Sequence, residues 1–200
     1  MARTPDLERR QELLDRIVDH LAANGLAQAT LRPMAAELGV SINRLVHHFG
    51  SKEELLAAAL QRSIDEQIAV QAAWLARTPN LSMVDLYRKW WRWICESPAN
   101  LARVRLNYEA AALDPVVSGL SGQMRADQIG VWRHHCEIQL EADGLSHDRA
   151  ALEASIAKAT FTGLVIDLLA TGDQRRLTRA FNVFADRLAA TVEDGGRSAS

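Results

Sequence analysis

Arg32, Asn43, Arg44, His47, His48 and Lys52 fall within one short stretch, and their side chains are of the kinds that read nucleic acid. A guanidinium pairs bidentately with the edge of guanine and a carboxamide with that of adenine. Arg44 is therefore the leading candidate for a base contact, and Asn43 the second. His47 and His48 suit phosphate or sugar contacts rather than proton-transfer chemistry. Taken singly, each of these is only a polar surface residue. Their meaning depends on the scaffold that presents them.

That scaffold is written in the stretch from Thr30 to Lys52, TLRPMAAELGVSINRLVHHFGSK. Thr30 is a candidate N-cap whose side-chain oxygen can accept from the first turn of a helix. Pro33 falls early enough in that helix for its missing N–H to be harmless. Met34, Ala35 and Leu38 recur at helical spacing, and Gly39 supplies the left-handed residue that ends the helix. Ser41 then caps a second short helix, with Leu45, Val46 and Phe49 turned inward and Ile42, Asn43, Arg44 and His47 outward. A buried helix, a glycine turn and a second helix with a free polar face form a helix-turn-helix. In that layout the second helix enters the major groove of DNA.

The same residues resemble the DNA-binding motif of the TetR family of transcriptional regulators. They are Thr30, Met34-Ala35, Leu38-Gly39-Val40-Ser41, Leu45-Val46-His47-His48-Phe49 and Ser51-Lys52-Glu53-Glu54-Leu55. Val46 stands where the family usually has Tyr, and Asn43 where a small residue is common. Both departures bear on the operator sequence rather than on the fold. The resemblance implies DNA contacts at Ile42, Asn43, Arg44, Val46, His48 and Lys52, and often at Arg32. It covers Ile17 to Leu56 closely and the remainder as a pattern of helices. It further implies a ligand-responsive regulator, a repressor, whose C-terminal helices enclose a small effector. In the family the last two helices pair with their copies in a homodimer.

Composition sets bounds on this reading. Two hundred residues, 48% hydrophobic, suffice for one or two small cores. A net charge of −2 excludes a generally basic nucleic-acid binder, so any DNA contact rests on a local patch. Residues 1–52 hold seven Lys/Arg against six Asp/Glu, and the remainder sixteen against nineteen. The basic groups cluster at Arg3, Arg9 and Arg10 and again at Arg32, Arg44 and Lys52, and a handful of contacts is enough to engage phosphates. Two cysteines, Cys95 and Cys136, do not make a disulfide framework. With no secretory signal and no apolar run long enough to span a bilayer, the chain reads as cytoplasmic, with reduced thiols and no membrane partner.

Taken in order, the sequence predicts an all-α protein of about nine helices. An N-terminal three-helix DNA-binding domain (1–52) is followed by an antiparallel helical ligand-binding and dimerisation domain (53–194). After a short arm at Met1 to Arg3, Thr4-Pro5-Asp6 opens a helix with Leu14, Ile17, Val18 and Leu21 as its buried stripe, ended at Asn24-Gly25. Ile17, Leu21, Met34, Leu38, Leu45 and Phe49 can close a small three-helix core. Ser51-x-x-Glu54 is a capping box for a helix over 52–77 that connects the domains. Lys52 there adds a charge to a helix N-terminus suited to phosphate, or is simply a solvated lysine. Further helices are expected from Ser82 to Glu96, Ala99 to Leu113, Val116 to Ala142, Ser146 to Ala170 and Gln174 to Glu193. A flexible tail follows, GGRSAS.

Two apolar stripes carry the oligomer signal: Leu152, Ile156, Ala159, Gly163, Ile166 and Ala170, then Leu177, Phe181, Phe184, Leu188 and Val192. They can pack within one subunit or between two. Further apolar residues off the stripes, Phe161, Leu164, Val165, Leu168 and Leu169, favour a homodimer through the last two helices. A two-fold dimer sets two reading helices on successive grooves, which implies double-stranded DNA with a palindromic operator.

Tyr87, Trp90, Trp91, Trp93, Tyr108 and Trp132 crowd the middle of the chain, either as core or as the wall of an apolar or aromatic effector pocket. Trp90, Trp93, Asn107, Tyr108, Trp132 and Cys136 are the ligand-site candidates, with Glu109 and Asp167 as further polar groups. Arg103 and Arg105 suit either an anionic ligand or a solvated helix surface. His134-His135-Cys136 points its members about 100° apart on a helix, which rules against shared metal ligation. No metal or cofactor is expected. Nor is an enzyme, since there is no nucleophile elbow, phosphate loop or placed acidic pair. The competing reading is a helical small-molecule-binding protein, or an enzyme on the same fold, without operator binding.

Overall fold

The computed structural model describes residues 4–27, 29–112 and 133–198. Among the described residues there are nine helices and no strand. They are α1 (Thr4–Asn24), α2 (Leu31–Leu38), α3 (Ile42–Phe49), α4 (Lys52–Arg77), α5 (Met83–Glu96) and α6 (Pro98–Ala112), then α7 (residues 133–142), α8 (His147–Thr171) and α9 (Gln174–Ser198). The arm at Met1 to Arg3, the stretch from Leu113 to Trp132 and the last two residues lie outside the described residues.

The helices form two packing units that do not follow the chain. One unit takes residues 1–70 together with α6. The other takes residues 71–97 and the described helices after residue 132. In the first, all six residues expected to form the three-helix core are buried. They do not close it alone. Leu55, Leu56, Ala59 and Leu60 from α4 and Leu106 and Ala110 from α6 join the same cluster. Three short helices bury too little apolar surface by themselves, at about 25 cal/mol per Å².

Polar ties reinforce the α1–α6 contact. The Leu26 amide donates to Glu109 Oε2 at 2.8 Å, and Arg105 Nη2 donates to the Ala22 carbonyl at 2.8 Å. Arg103 pairs with Asp19 at 2.6 Å. Glu109, Arg103 and Arg105 are therefore spent inside the protein, on the C-terminal end of α1 and beside it, rather than on a ligand. Arg62 adds a pair with Asp15 at 2.6 Å. Burial raises the Glu66 carboxyl above its usual range, against the pull of Arg103 and Arg62.

The second unit is built on aromatics. Trp91 stacks on Phe181 at 5.0 Å and gives its indole N–H to Thr178 Oγ1 at 3.1 Å. Phe161 meets both rings edge-on. The α5 N-terminus is doubly capped, with Ser82 Oγ accepting from the Asp85 amide and Asp143 Oδ2 from the Met83 amide.

The apolar stripes of α8 and α9 divide differently from expectation. On α9, Leu177, Phe181 and Leu188 are buried and Phe184 and Val192 half-buried, so that stripe is intramolecular core. On α8, Phe161, Val165 and Leu168 face inward, whereas all six stripe residues from Leu152 to Ala170 are exposed. Leu152, Ile156 and Ile166 are 53%, 45% and 51% exposed. With one face packed and the other apolar but bare, α8 is long and apolar enough to cross a membrane by length and composition. The expectation that no run reaches that length is corrected accordingly.

Three local expectations also change. Thr30 and Ser146 occupy N-cap positions in extended conformation, but neither side chain makes a capping hydrogen bond. The first segment of the GGRSAS tail is helical, since α9 continues to Ser198. Leu145 packs directly on the Gly195 backbone, where an added Cβ would stand 2.5 Å from its Cδ2. Glycine tolerates helix badly in isolation; here that contact holds it.

Candidate nucleic-acid interface

The turn between α2 and α3 has the geometry its sequence requires. Gly39 takes φ 67° and ψ 33°, the left-handed region open to glycine. Its amide and that of Val40 donate to the Ala36 and Ala35 carbonyls, at 3.2 and 3.0 Å. This closes the end of α2 in a Schellman arrangement. Ser41 then caps α3, its Oγ accepting from the Arg44 amide at 3.2 Å.

The turn sets the phase of α3. Leu45 and Phe49 are buried in the core, while Ile42, Asn43, Arg44 and His47 are exposed, as are Thr30, Arg32 and Ser41, and His48 is half-buried. Val46 departs from the inward position expected for it: it is 45% exposed. Leu45 and Phe49, four apart, already fill the inward line of a two-turn helix, and Val46 lies 100° round from Leu45. Neither Asn43 nor Arg44 has a side-chain partner among the described residues.

Polar groups of α1 lock this pair of helices. Arg10 Nε donates to the His48 carbonyl at 3.1 Å, with its guanidinium 4.8 Å from the centre of the Phe49 ring. Arg16 Nη2 donates to the Leu38 carbonyl at 2.7 Å. His20, itself buried, holds Glu37 through Nδ1 at 2.7 Å. Arg10 is thus occupied within the fold, whereas Arg32, Arg44 and Lys52 have no ion-pair partner among the described residues. No periodicity reveals these ties, because each partner lies 17 or more residues away in sequence.

Lys52 is half-buried in the first turn of α4, directly after the capping box. The Ser51 amide donates to Glu54 Oε2 at 2.7 Å and the Glu54 amide to Ser51 Oγ at 3.1 Å. Those bonds hold the Glu54 carboxyl below its ordinary value of 4.5, the Ser51 amide having the largest effect. Gly50 bridges α3 and α4 at φ 82°, where a Cβ would also collide with that carboxylate.

The ligand-site candidates separate. In the second unit Trp90 is buried and stacks on half-buried Trp93 at 4.7 Å. Trp74, not singled out in the sequence, meets Trp90 edge-on at 6.1 Å. Cys136 is buried, with Sγ 3.2 Å from the Tyr87 hydroxyl, and burial raises its thiol pKa. Asn107 and Tyr108 belong to the first unit, where Asn107 Nδ2 donates to Gln67 Oε1 at 3.1 Å. Asp167 forms an exposed pair with Arg176. Trp132 lies outside the described residues.

Residues 13–59, which take in all of α2 and α3, match the family model of bacterial regulatory proteins of the tetR family. The matched segment is a tetR-family domain. The fold of the chain is shared well beyond the DNA-reading unit. A transcriptional regulator from Rhodococcus sp. Rha1 superposes with a TM-score of 0.72 at 22% identity, over 91% of this chain and 96% of that one. A TetR regulator from Legionella pneumophila gives 0.70 at 17% identity, over 86% and 94%. A protein named as a transcriptional regulator from Saccharomonospora viridis, in complex with choline, gives 0.70 at 19%, over 90% and 96%. No curated protein matches this sequence. The matched segment and the shared fold mark this protein as a DNA-binding transcriptional regulator.

Proposed function

We propose that this regulator is a cytoplasmic, non-enzymatic repressor that binds a palindromic operator as a homodimer and is released by a small apolar or aromatic effector. The observation that carries the DNA reading is the division of α3. Leu45 and Phe49 anchor it, and Asn43 and Arg44 stand exposed with no partner among the described residues. Arg44 reads a guanine edge and Asn43 an adenine edge. Val46 and Ile42 offer apolar contact to a thymine methyl. Thr30, Arg32, Ser41, His47, His48 and Lys52 position the helix on the sugar-phosphate backbone. The DNA-binding domain is residues 1–52, and α4 connects it to a ligand-binding and dimerisation domain over 53–194.

The bare apolar stripe of α8 supports the homodimer. Six exposed positions on one face, with small Ala159 and Gly163 at its centre, suit close approach of a second copy. A Cβ added at Gly163 meets nothing within 4 Å, so that space is open within the subunit. An effector bound among the tryptophans shifts α4, and the two reading helices then no longer match successive grooves. This coupling follows the family's pattern.

A gel-shift titration against DNA flanking its own gene tests the reading. Sequence-specific retention that survives excess random duplex is expected, with half-sites one helical turn apart. Retention that random duplex abolishes would remove the operator from the proposal.

A further inference from the structure

We propose that Arg105 and Glu109 on α6 are positioning residues for DNA binding, which hold the reading helices in one pose without touching DNA themselves. The inference rests on the DNA reading above and adds to it a pair remote from α2 and α3 in sequence. Both side chains grip backbone atoms at the end of α1. The Gly25 amide makes a last helical bond to the Leu21 carbonyl at 2.7 Å, and Gly25 then turns the chain at φ 81°. The next bond of the helix would join the Leu26 amide to the Ala22 carbonyl. It is not made, and α6 supplies a substitute for each half. Arg105 Nη2 donates to the Ala22 carbonyl at 2.8 Å, and Glu109 Oε2 accepts from the Leu26 amide at 2.8 Å. The two side chains, one turn apart on α6, are themselves paired, with Arg105 Nε 3.1 Å from Glu109 Oε1. Together they act as one two-point cap on α1.

Leu106 and Ala110 already bury α6 in the shared core, but apolar contact has no direction and leaves the angle between helices loosely set. Charge-assisted hydrogen bonds to backbone are directional and fix it. The approach is close: a Cβ added at Gly25 would stand 3.3 Å from Glu109 Oε2. The same end of α1 in turn holds the last turn of α2, through Arg16 on the Leu38 carbonyl at 2.7 Å and His20 on Glu37 at 2.7 Å. Gly39 follows directly and sets the phase of α3. With the cap removed, two backbone groups lose their partners and the end of α1 samples other poses. Operator DNA accepts one pose, so apparent affinity falls with the fraction of molecules that hold it.

Operator affinity and its salt dependence are measured on the full-length protein carrying Glu109→Ala, Arg105→Ala or Glu109→Gln. Each alanine variant should bind about tenfold more weakly, the worth of one hydrogen bond to a charged group, with the salt slope unchanged. Glu109→Gln, whose carbonyl oxygen can still accept from the Leu26 amide, should recover part of that loss. In NMR spectra without DNA, the amide resonances of residues 39–48 should move in Glu109→Ala, a signature that a tie serving stability alone would not give. A lower melting temperature with operator affinity and those resonances unmoved overturns the proposal. So does a salt slope smaller by about one in Arg105→Ala, which would place Arg105 itself on a phosphate. Should the alanine variants not fold, Glu109→Gln and Arg105→Lys are read in the same way, and wild-type affinity with unmoved resonances in both overturns it. Failure of the wild-type protein to retain the duplex undoes the operator reading and this inference together, whereas wild-type retention matched by every variant undoes only this inference.

Discussion

Two helices of this regulator leave a face uncovered, and the two faces differ in kind. α3 exposes Asn43, Arg44 and His47 around a core line of only two residues, Leu45 and Phe49. α8 exposes Leu152, Ile156 and Ile166 although its opposite face is already packed with Ala154, Phe161 and Val165. A polar face costs little in water, so α3 can stand ready for a hydrated, charged partner. An apolar face of that length is unfavourable in water and calls for another apolar surface. What a helix leaves bare thus indicates its partner better than what it buries.

The contrast is broken most severely from the inside of α3. Leu45→Ala should cost about 2–5 kcal/mol of stability, read by denaturant unfolding, because it opens a cavity under the reading helix. Asn43→Ala should leave that stability within about 0.5 kcal/mol while weakening operator binding. If the two variants are equally destabilised, α3 has no functionally free face.

On α8, Ile156→Asp places a charge in the proposed interface. We expect the dimer to dissociate in analytical ultracentrifugation and operator affinity to fall by about 100-fold, since an unpaired buried charge costs several kcal/mol. The subunit should keep its helical content, because Ile156 is not part of its core. A variant that remains dimeric would assign the α8 stripe another partner.

Smaller effects sharpen the polar side. Arg44→Ala should cost about 1–3 kcal/mol in operator binding and relax base preference at one position. Lys52→Ala should weaken all sequences alike and lower the salt slope by about one. If Arg44→Ala leaves base preference unchanged, its place at a base edge is wrong.

The smallest effect is a titration. The folded Glu54 carboxyl lies below its ordinary 4.5, so its contribution to the α4 capping box is fully present above that value and is lost as pH falls through the lower, folded one. NMR should find its midpoint below 4.5, and Ser51→Ala should return it towards that value. An unshifted midpoint would remove the Ser51–Glu54 pair from solution.

Much of the reading head was legible because its signals are local. Gly39, Ser41 and the Ser51–Glu54 box each act within four residues, so spacing alone locates the turns and caps. Val46 turns outward against its apolar character because the inward line of so short a helix is fixed by which neighbours reach it. The same limit hides Arg10 and Arg16 as helix locks and leaves Glu109 open to either a pocket or a structural tie. On α8 and α9 both apolar stripes were visible, but periodicity marks an apolar face without saying whether the subunit or a partner covers it.

By itself, then, the sequence determined the helices, their ends and the chemistry available at Arg44, Asn43 and Lys52, because propensity, capping and turn geometry are settled among near neighbours. Tertiary packing decided which faces stayed uncovered, which cations were spent inside the fold, and that α6 completes the core beneath the reading helices. Those outcomes depend on which distant surfaces meet and exclude water, and no stretch of a single helix contains that information.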